Sequence, residues 1–353
     1  MANQAMIRHI LPLTTIRRDR VLPIPGKVLV RKGQKVAAAD VIAEASLFSR
    51  HELIDLARSL GMSADKADAY IQVEAGTQVA EGDILAGPVG IMRRVVRAPG
   101  NAAVVLVGGG QILLEIHNRP FELRAGLPGE VINLLPDRGA TIETTGALIQ
   151  GVWGNGLIDF GLMYIAVKRP DDLFESDQLD VSMRGAVVLG GHCRNASVLR
   201  AAAELPLRGL ILASMEPDLI PVADGLKIPV LVLEGFGKQP LNSKMFKLLT
   251  TNEQREAAVN AERWDRYKGT RPEVVIPLPA PGGPPLPPET DFFAEGQEVR
   301  ITRAPYQGQI GMLVGLPSEK IALPSGIRTT VGEIRLESGE HTLIPLANLE
   351  TLE

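Results

Sequence analysis

Over roughly the first 150 positions, apolar residues come in short runs broken at brief intervals by Gly, Pro, Asp and charged residues. That is the rhythm of short strands and tight turns. The rhythm repeats: Val30-x-x-Gly33-x-x-Val36-Ala37-x-x-Asp40-Val41-Ile42-Ala43 returns as Val73-x-x-Gly76-x-x-Val79-Ala80-x-x-Asp83-Ile84-Leu85-Ala86. A looser third copy places Gly139, Ile142, Gly146 and Leu148 at the corresponding spacings. Each copy predicts a turn at Gly, a short strand, a polar turn and a second short strand. So small a unit buries little alone, so the copies must pack together. Between the first two copies, residues 49 to 70 carry Leu53, Ile54, Leu56 and Leu60 near helical spacing, with Ser63 as an N-cap. This predicts a helical insertion.

From residue 151 the pattern changes. The apolar runs at 185–191, 209–214 and 229–235 are separated by ASVLRAAAEL and EPDLIPVADGL. Continuous apolar runs joined by helical segments predict an open parallel α/β domain over 151–276. A strand is expected at Met163 to Lys168, and a helical stretch from Ser243 to Asp265 with a break near Thr250 to Asn252. Residues 277–288, with seven prolines and two glycines in twelve positions, exclude helix and central strand and predict an extended linker, the alternative being a structured arm wrapped along the middle domain. Short apolar stretches resume over 289–353, with Ser338-Gly339 as a hairpin turn.

Composition narrows the function classes. A chain of 353 residues suggests two or three domains. Its 45% hydrophobic and 22% charged content is that of a globular protein. Aromatic residues at 4% leave little for base stacking, and the net charge of -4 gives no overall attraction to polyanions. The single cysteine, Cys193, excludes an internal disulfide and a cysteine zinc site, and points to a reducing, cytoplasmic setting. No run of about 18 apolar residues predicts a membrane span. The five histidines lack metal-ligand spacing, and the nucleotide-loop and nucleophile-elbow motifs are missing. No metal and no cofactor is expected. Gly108-Gly109-Gly110, between VVLV and ILLEI, reads as a hairpin turn rather than a phosphate loop.

Two resemblances rest on particular residues. The repeat, together with Val96-Arg97-Ala98-Pro99-Gly100 before AAVVLV, resembles the barrel-sandwich hybrid fold of lipoyl and biotinyl domains over roughly residues 20 to 150. In those carriers the modified Lys follows the "I-x-E" strand, whereas here no Lys intervenes between Val41 and Lys66. The carrier function is therefore not transferred. At the other end, Glu295-Gly296-Gln297-Glu298-Val299-Arg300-Ile301, continued by Ala304-Pro305-Tyr306-Gln307-Gly308-Gln309-Ile310-Gly311-Met312-Leu313-Val314, resembles a KOW-type small β-barrel. Gly308 and Gly311 stand where its turn needs positive φ or close backbone approach. KOW modules contact polymerase, RNA or ribosomal partners, so the resemblance implies binding rather than catalysis.

The expected architecture is thus a multidomain β and α/β chain. It comprises a barrel-sandwich-like region over 1–150, an open parallel α/β domain over 151–276, a Pro-rich linker over 277–288 and a KOW-like small β-barrel over 289–353. From Asp291 to Glu353 nine acidic residues face five basic ones, which favours a protein partner and disfavours RNA. Arg300, Arg303 and Tyr306 are the candidate partner-binding residues. The alternative is an enzyme or small-ligand binder using the carboxyl ends of the parallel strands. Its candidate residues are His192, Cys193, Arg194, Ser214, Glu216, Glu234 and Gly235, with His192 as base and Cys193 as nucleophile. RNA binding is a further alternative. The favoured reading is a non-catalytic modular adaptor, which leaves the question of an enzyme open.

Overall fold

The computed structural model describes residues 4–46, 49–117, 120–265, 270–280, 282–288 and 291–352. Strands dominate, arranged in several sheets, none of which closes on itself. Among the described residues the largest sheet has eleven strands. One part of it is parallel: Ile158–Ile165, Val187–Cys193, Gly209–Met215 and Val230–Phe236 lie side by side in that order. Val187–Cys193 and Gly209–Met215 are buried at every position, because both faces are covered. Val188, Leu210 and Val232 pack beneath Val198, Leu199 and Ala202 of the helix Ala196–Glu204. Leu189, Ile211 and Leu233 pack on the opposite side with Met245 and Leu249 of the helix Ser243–Thr251.

The same sheet runs without interruption into the N-terminal region. Ile158–Ile165 pairs antiparallel with Glu256–Asn260, that strand with Glu273–Pro277, and that with Gly139–Gln150. Gly139–Gln150 also pairs with Ile10–Val21. The stretch 243–265, read as a broken helix, is helical only to Thr251. Beyond it Glu256–Asn260 is a strand, since Ala257, Val259 and Ala261 alternate into the core.

The first two repeat copies fold alike, bond for bond. Gly33 and Gly76 have φ of 82° and 90°. Each donates its N–H to a strand carbonyl, Val131 and Val104, and those residues donate back to Gln34 and Thr77. Asp40 Oδ2 accepts from Ala37 N, and Asp83 Oδ2 from Ala80 N, both at 2.8 Å. The third copy is not such a unit: Gly139, Ile142, Gly146 and Leu148 lie on one continuous strand. Its apolar residues are spaced for a long β-ribbon with Ile10–Val21, and no second turn interrupts them.

The region expected as one helical insertion, 49 to 70, also differs. It opens with the strand Ser49–Asp55, followed by the short helices Leu56–Leu60 and Ala64–Asp68. Ile54 faces the local core and Leu53 faces out, so an alternation of period two governs here. Asp55 N-caps the first helix by accepting from Arg58 N, and Ser63 N-caps the second by backbone geometry alone.

The two ends of the chain share a seven-stranded sheet among the described residues. Its strand Gln4–Arg8 lies parallel to Leu349–Leu352 and antiparallel to Asp291–Phe292. Glu298–Ile301 flanks Leu349–Leu352 on the other side and continues through Ile310–Gly315 to the hairpin Val331–Leu336 and His341–Pro345. Gly308 has φ of 85°, and a Cβ on Gly311 would lie 2.6 Å from Ile334 Cγ2. The turn therefore needs glycine at both positions, for the two different reasons expected. The Pro-rich segment is held along the body: Thr14 Oγ1 donates to the carbonyl of Pro285 at 2.9 Å, Thr15 Oγ1 donates to that of Pro284, and Leu278 N donates to Thr145 O at 3.0 Å.

Candidate functional site

At the carboxyl ends of the parallel strands, where open α/β sheets receive ligands, His192, Ser214 and Glu216 meet. His192 Nδ1 lies 3.0 Å from Ser214 Oγ, and His192 Nε2 lies 3.2 Å from Glu216 Oε1. Adjacent parallel strands in register, His192 opposite Ser214, bring the first two together. The order Ser–His–Glu has the composition of a nucleophile relay, but the hydroxyl is already committed. Ser214 Oγ donates to Gln239 O at 2.8 Å and accepts from Gln239 N at 3.1 Å. With no exposed surface on Ser214, no electrophile can approach it. Burial pulls His192 below its ordinary pKa, against the opposing influence of Glu216.

Cys193 is no better placed. It is fully buried, its Sγ lies 3.7 Å from Asn195 O, and burial pushes the thiol up to about 11. The nucleophilic thiolate is scarce at neutral pH in such a setting. Labelling of the native protein with a thiol reagent at pH 7.5 is expected to be much slower than labelling of the urea-unfolded chain, by a factor of roughly 100 or more. Comparable rates would restore Cys193 as a reactive group. Arg194 points outward and pairs with Glu175 at 3.1 Å.

Glu234 takes part in a different assembly, a buried charge cluster at the junction of the sheets. Arg8, Arg271 and Arg300 surround Glu234 and Glu350, and all five side chains are at most 8% exposed. Arg8 Nη1 lies 3.3 Å from Glu234 and 3.5 Å from Glu350. Arg300 lies 3.2 Å from each. Arg271 reaches Glu350 at 3.4 Å and stacks on Trp264, 4.8 Å from the ring centre. Backbone acceptors complete the cluster: Arg8 donates to Gln150 O at 2.9 Å and to Leu233 O, and Arg300 donates to Glu234 O. Burial pushes Glu350 up, but Arg8, Arg300 and Arg271 together outweigh it and hold the carboxyl below its ordinary pKa.

Gln239 joins the two groups. Its backbone closes on Ser214, its Nε2 donates to Phe236 O at 3.0 Å, and its Oε1 accepts from Arg300 Nη2 at 2.9 Å. Gly235, with φ of 142°, leaves room for the Gln239 side chain, and Gly308 of the C-terminal turn packs against the same amide. The strand ends are thus filled by the chain itself: Arg8 from the first strand, Arg300 from the C-terminal sheet, and Gln239 between them. Of the three residues proposed to meet a partner, Arg300 is therefore internal. Arg303 is exposed, and Tyr306 is half-buried with its hydroxyl donating to Glu340 at 2.9 Å.

Sequence reasoning missed Arg8, Gln239, Arg271 and Glu350. The only local signal was an arginine and a glutamate inside short apolar strands, QAMIR and LETL. A separate pocket of about 440 Å³ lies between the strand Phe121–Arg124 and the 226–229 loop. Its charges are largely satisfied within the protein, Arg20 by Glu262 and Asp159 by Arg208. Among the described residues no cluster of His, Cys, Asp and Glu could hold a metal ion, and no helix is long and apolar enough to cross a membrane. No protein-family model matches the chain, and no curated protein matches it at a significant level.

Proposed function

We propose that the protein is a non-catalytic binding or adaptor protein whose C-terminal, KOW-like sheet meets a protein partner. One observation carries this reading: the ends of the parallel strands at Ser214 and Glu234 are occupied by Gln239 and by the buried Arg8–Glu234–Arg300–Glu350 cluster. What favours this reading over an enzyme is that Ser214 is fully buried with its hydroxyl held by Gln239, and that burial raises the Cys193 thiol. The barrel-sandwich and KOW resemblances agree with a body of small β units that act through their surfaces. The acidic balance of residues 291–353 supports a protein over a polyphosphate.

With Arg300 internal, the segment from Arg303 to Gln307, exposed except at the half-buried Tyr306, is the recognition surface of choice. Full-length protein immobilised at about 0.15 M salt is expected to retain a specific protein that survives nuclease treatment. The double variant Arg303→Glu, Tyr306→Ala should lose it. Undiminished retention by the variant, or capture of RNA that declines steeply with salt, would overturn the reading.

A further inference from the structure

The sheet formed by Ser49–Asp55, Gln111–His117, Ala102–Gly108 and Gln78–Val79 has an outer face with exposed side chains at His51, Leu53, Gln111 and Leu106 and a half-buried Leu113 between them. Register places Leu53 opposite Leu113 and Leu113 opposite Leu106. The three leucines form a row across the face, with Leu53 56% and Leu106 64% exposed. The opposite face is a closed core of Leu56, Val104, Ile112 and Leu114. The row ends at Leu53, on a strand that is the edge of its sheet among the described residues. The helix Leu56–Leu60 does not cover that edge: Leu56 N and Ala57 N donate to Gly110 O, turning the chain back toward the 108–111 hairpin. An edge strand with an exposed apolar side chain, and without a bulge or proline, is a template for another strand.

We propose that this edge pairs antiparallel with the same strand of a second copy of the chain, about a twofold axis at Leu53. The strand's own sequence selects both occupant and register. Antiparallel partners must point to the same face, so the axis passes through a residue. An axis at Glu52 would set glutamate against glutamate, and one at His51 would set histidine against histidine. An axis at Leu53 sets Leu53 against Leu53 and places His51 opposite Asp55 of the other copy, twice by symmetry. Asp55 uses Oδ1 for its helix cap, so its other oxygen is available to this pair. On the inner side Ile54 falls opposite Glu52. The three-leucine row then becomes a six-leucine ribbon across the six central strands of an eight-stranded sheet, covering the exposed edge leucine of each copy. This inference goes beyond the adaptor reading and does not depend on it. A dimer would present two C-terminal sheets at once and raise avidity for any repeated partner.

Cysteine cross-linking tests the register directly, because the natural thiol, Cys193, is buried. In the full chain, Leu53→Cys is expected to give a covalent dimer under mild oxidation. Leu106→Cys is expected to give none, since the two 106 positions would lie about five strand spacings, roughly 24 Å, apart. Sedimentation of the unmodified protein at concentrations on the order of 100 μM should show reversible dimerisation, weakened roughly tenfold or more by Leu53→Lys. The exposed position of Leu53 means that thermal unfolding of this variant in dilute solution should be unchanged. Cross-linking at 106 as readily as at 53 would overturn the register. A monomer at every concentration, with no cross-link at 53, would overturn the dimer and leave the face to a different partner.

Discussion

Replacing Glu350 by glutamine is expected to destabilise the protein by about 3–5 kcal/mol, the loss typical when one member of a buried ionic cluster is neutralised. The cluster counts three guanidinium groups against two carboxylates. Glu350 is the carboxylate that touches all three arginines, whereas Glu234 touches Arg8 and Arg300. Without Glu350, three buried cations share one anion. Without Arg8 the remaining charges balance, so Arg8→Met should cost less, although it abandons the carbonyls of Gln150 and Leu233. Urea unfolding followed by circular dichroism gives both numbers, and an order with Arg8→Met the more damaging would refute the charge count. Because Glu350 is held below its ordinary value, the stability it supplies is present above pH 4.5 and is lost as pH falls through its lowered pKa. The same cluster decides how autonomous the C-terminal sheet can be. A fragment of residues 289–353 would lack the strand Gln4–Arg8 beside Leu349–Leu352, and would expose Arg300 and Glu350 stripped of Arg8, Glu234 and Arg271. Its marginal size gives it little to offset that loss.

What the sequence disclosed and what it hid follow from the range of the interactions. The parallel strands were legible because a strand covered on both faces must be apolar at every position, as Val187–Cys193 and Gly209–Met215 nearly are. The repeat was legible because its bonds are local or set by glycine: Gly33 and Gly76 need positive φ, and Asp40 and Asp83 bind an amide three residues back. The strand Ser49–Asp55 was hidden by ambiguity, since Leu53, Ile54, Leu56 and Leu60 satisfy a helical stripe as well as a strand running into a short helix. The charge cluster was hidden by distance along the chain. Residues 8, 234, 271, 300 and 350 carry no common spacing, and the two that drew attention were read apart, Glu234 as part of a ligand cleft and Arg300 as a partner contact. Arg300 shows the effect most clearly: an arginine beside Val299 and Ile301 looks like a surface contact until Glu234 and Glu350 are brought to it. Of the candidate residues at the strand ends, His192, Ser214 and Glu216 come together, whereas Arg194 pairs with Glu175 and Glu234 joins the arginine cluster. Gln239, which closes them off, lies in a loop without any pattern of its own.

Acid is expected to weaken the fold in a window well above the carboxylate range, and His9 is the principal cause. The residue links the first strand of the C-terminal sheet to the long strand Ile10–Val21, with its N–H donating to Gln150 Oε1 at 3.2 Å and its carbonyl accepting from Gln150 N at 3.0 Å. Burial, assisted by the positive charges of Arg18 and Arg271, lowers its pKa from 6.5 to about 4. A histidine depressed in the folded state is protonated more readily in the unfolded chain, so the unfolded state binds the extra proton first. The stability it confers is complete above pH 6.5, the unfolded value, and drains away as pH falls toward 4. A depression of that size corresponds to roughly 3 kcal/mol over the window. His192, also lowered by burial, acts in the same direction, so the wild-type slope alone cannot isolate His9. The comparison that does is His9→Gln, which keeps a polar side chain but cannot take up the proton. Urea midpoints at pH 7, 5.5 and 4 should fall for both proteins, with the wild type losing roughly 3 kcal/mol more than the variant across the range. Parallel pH curves for the two would show that His9 carries its proton equally in both states and that its burial has no energetic consequence.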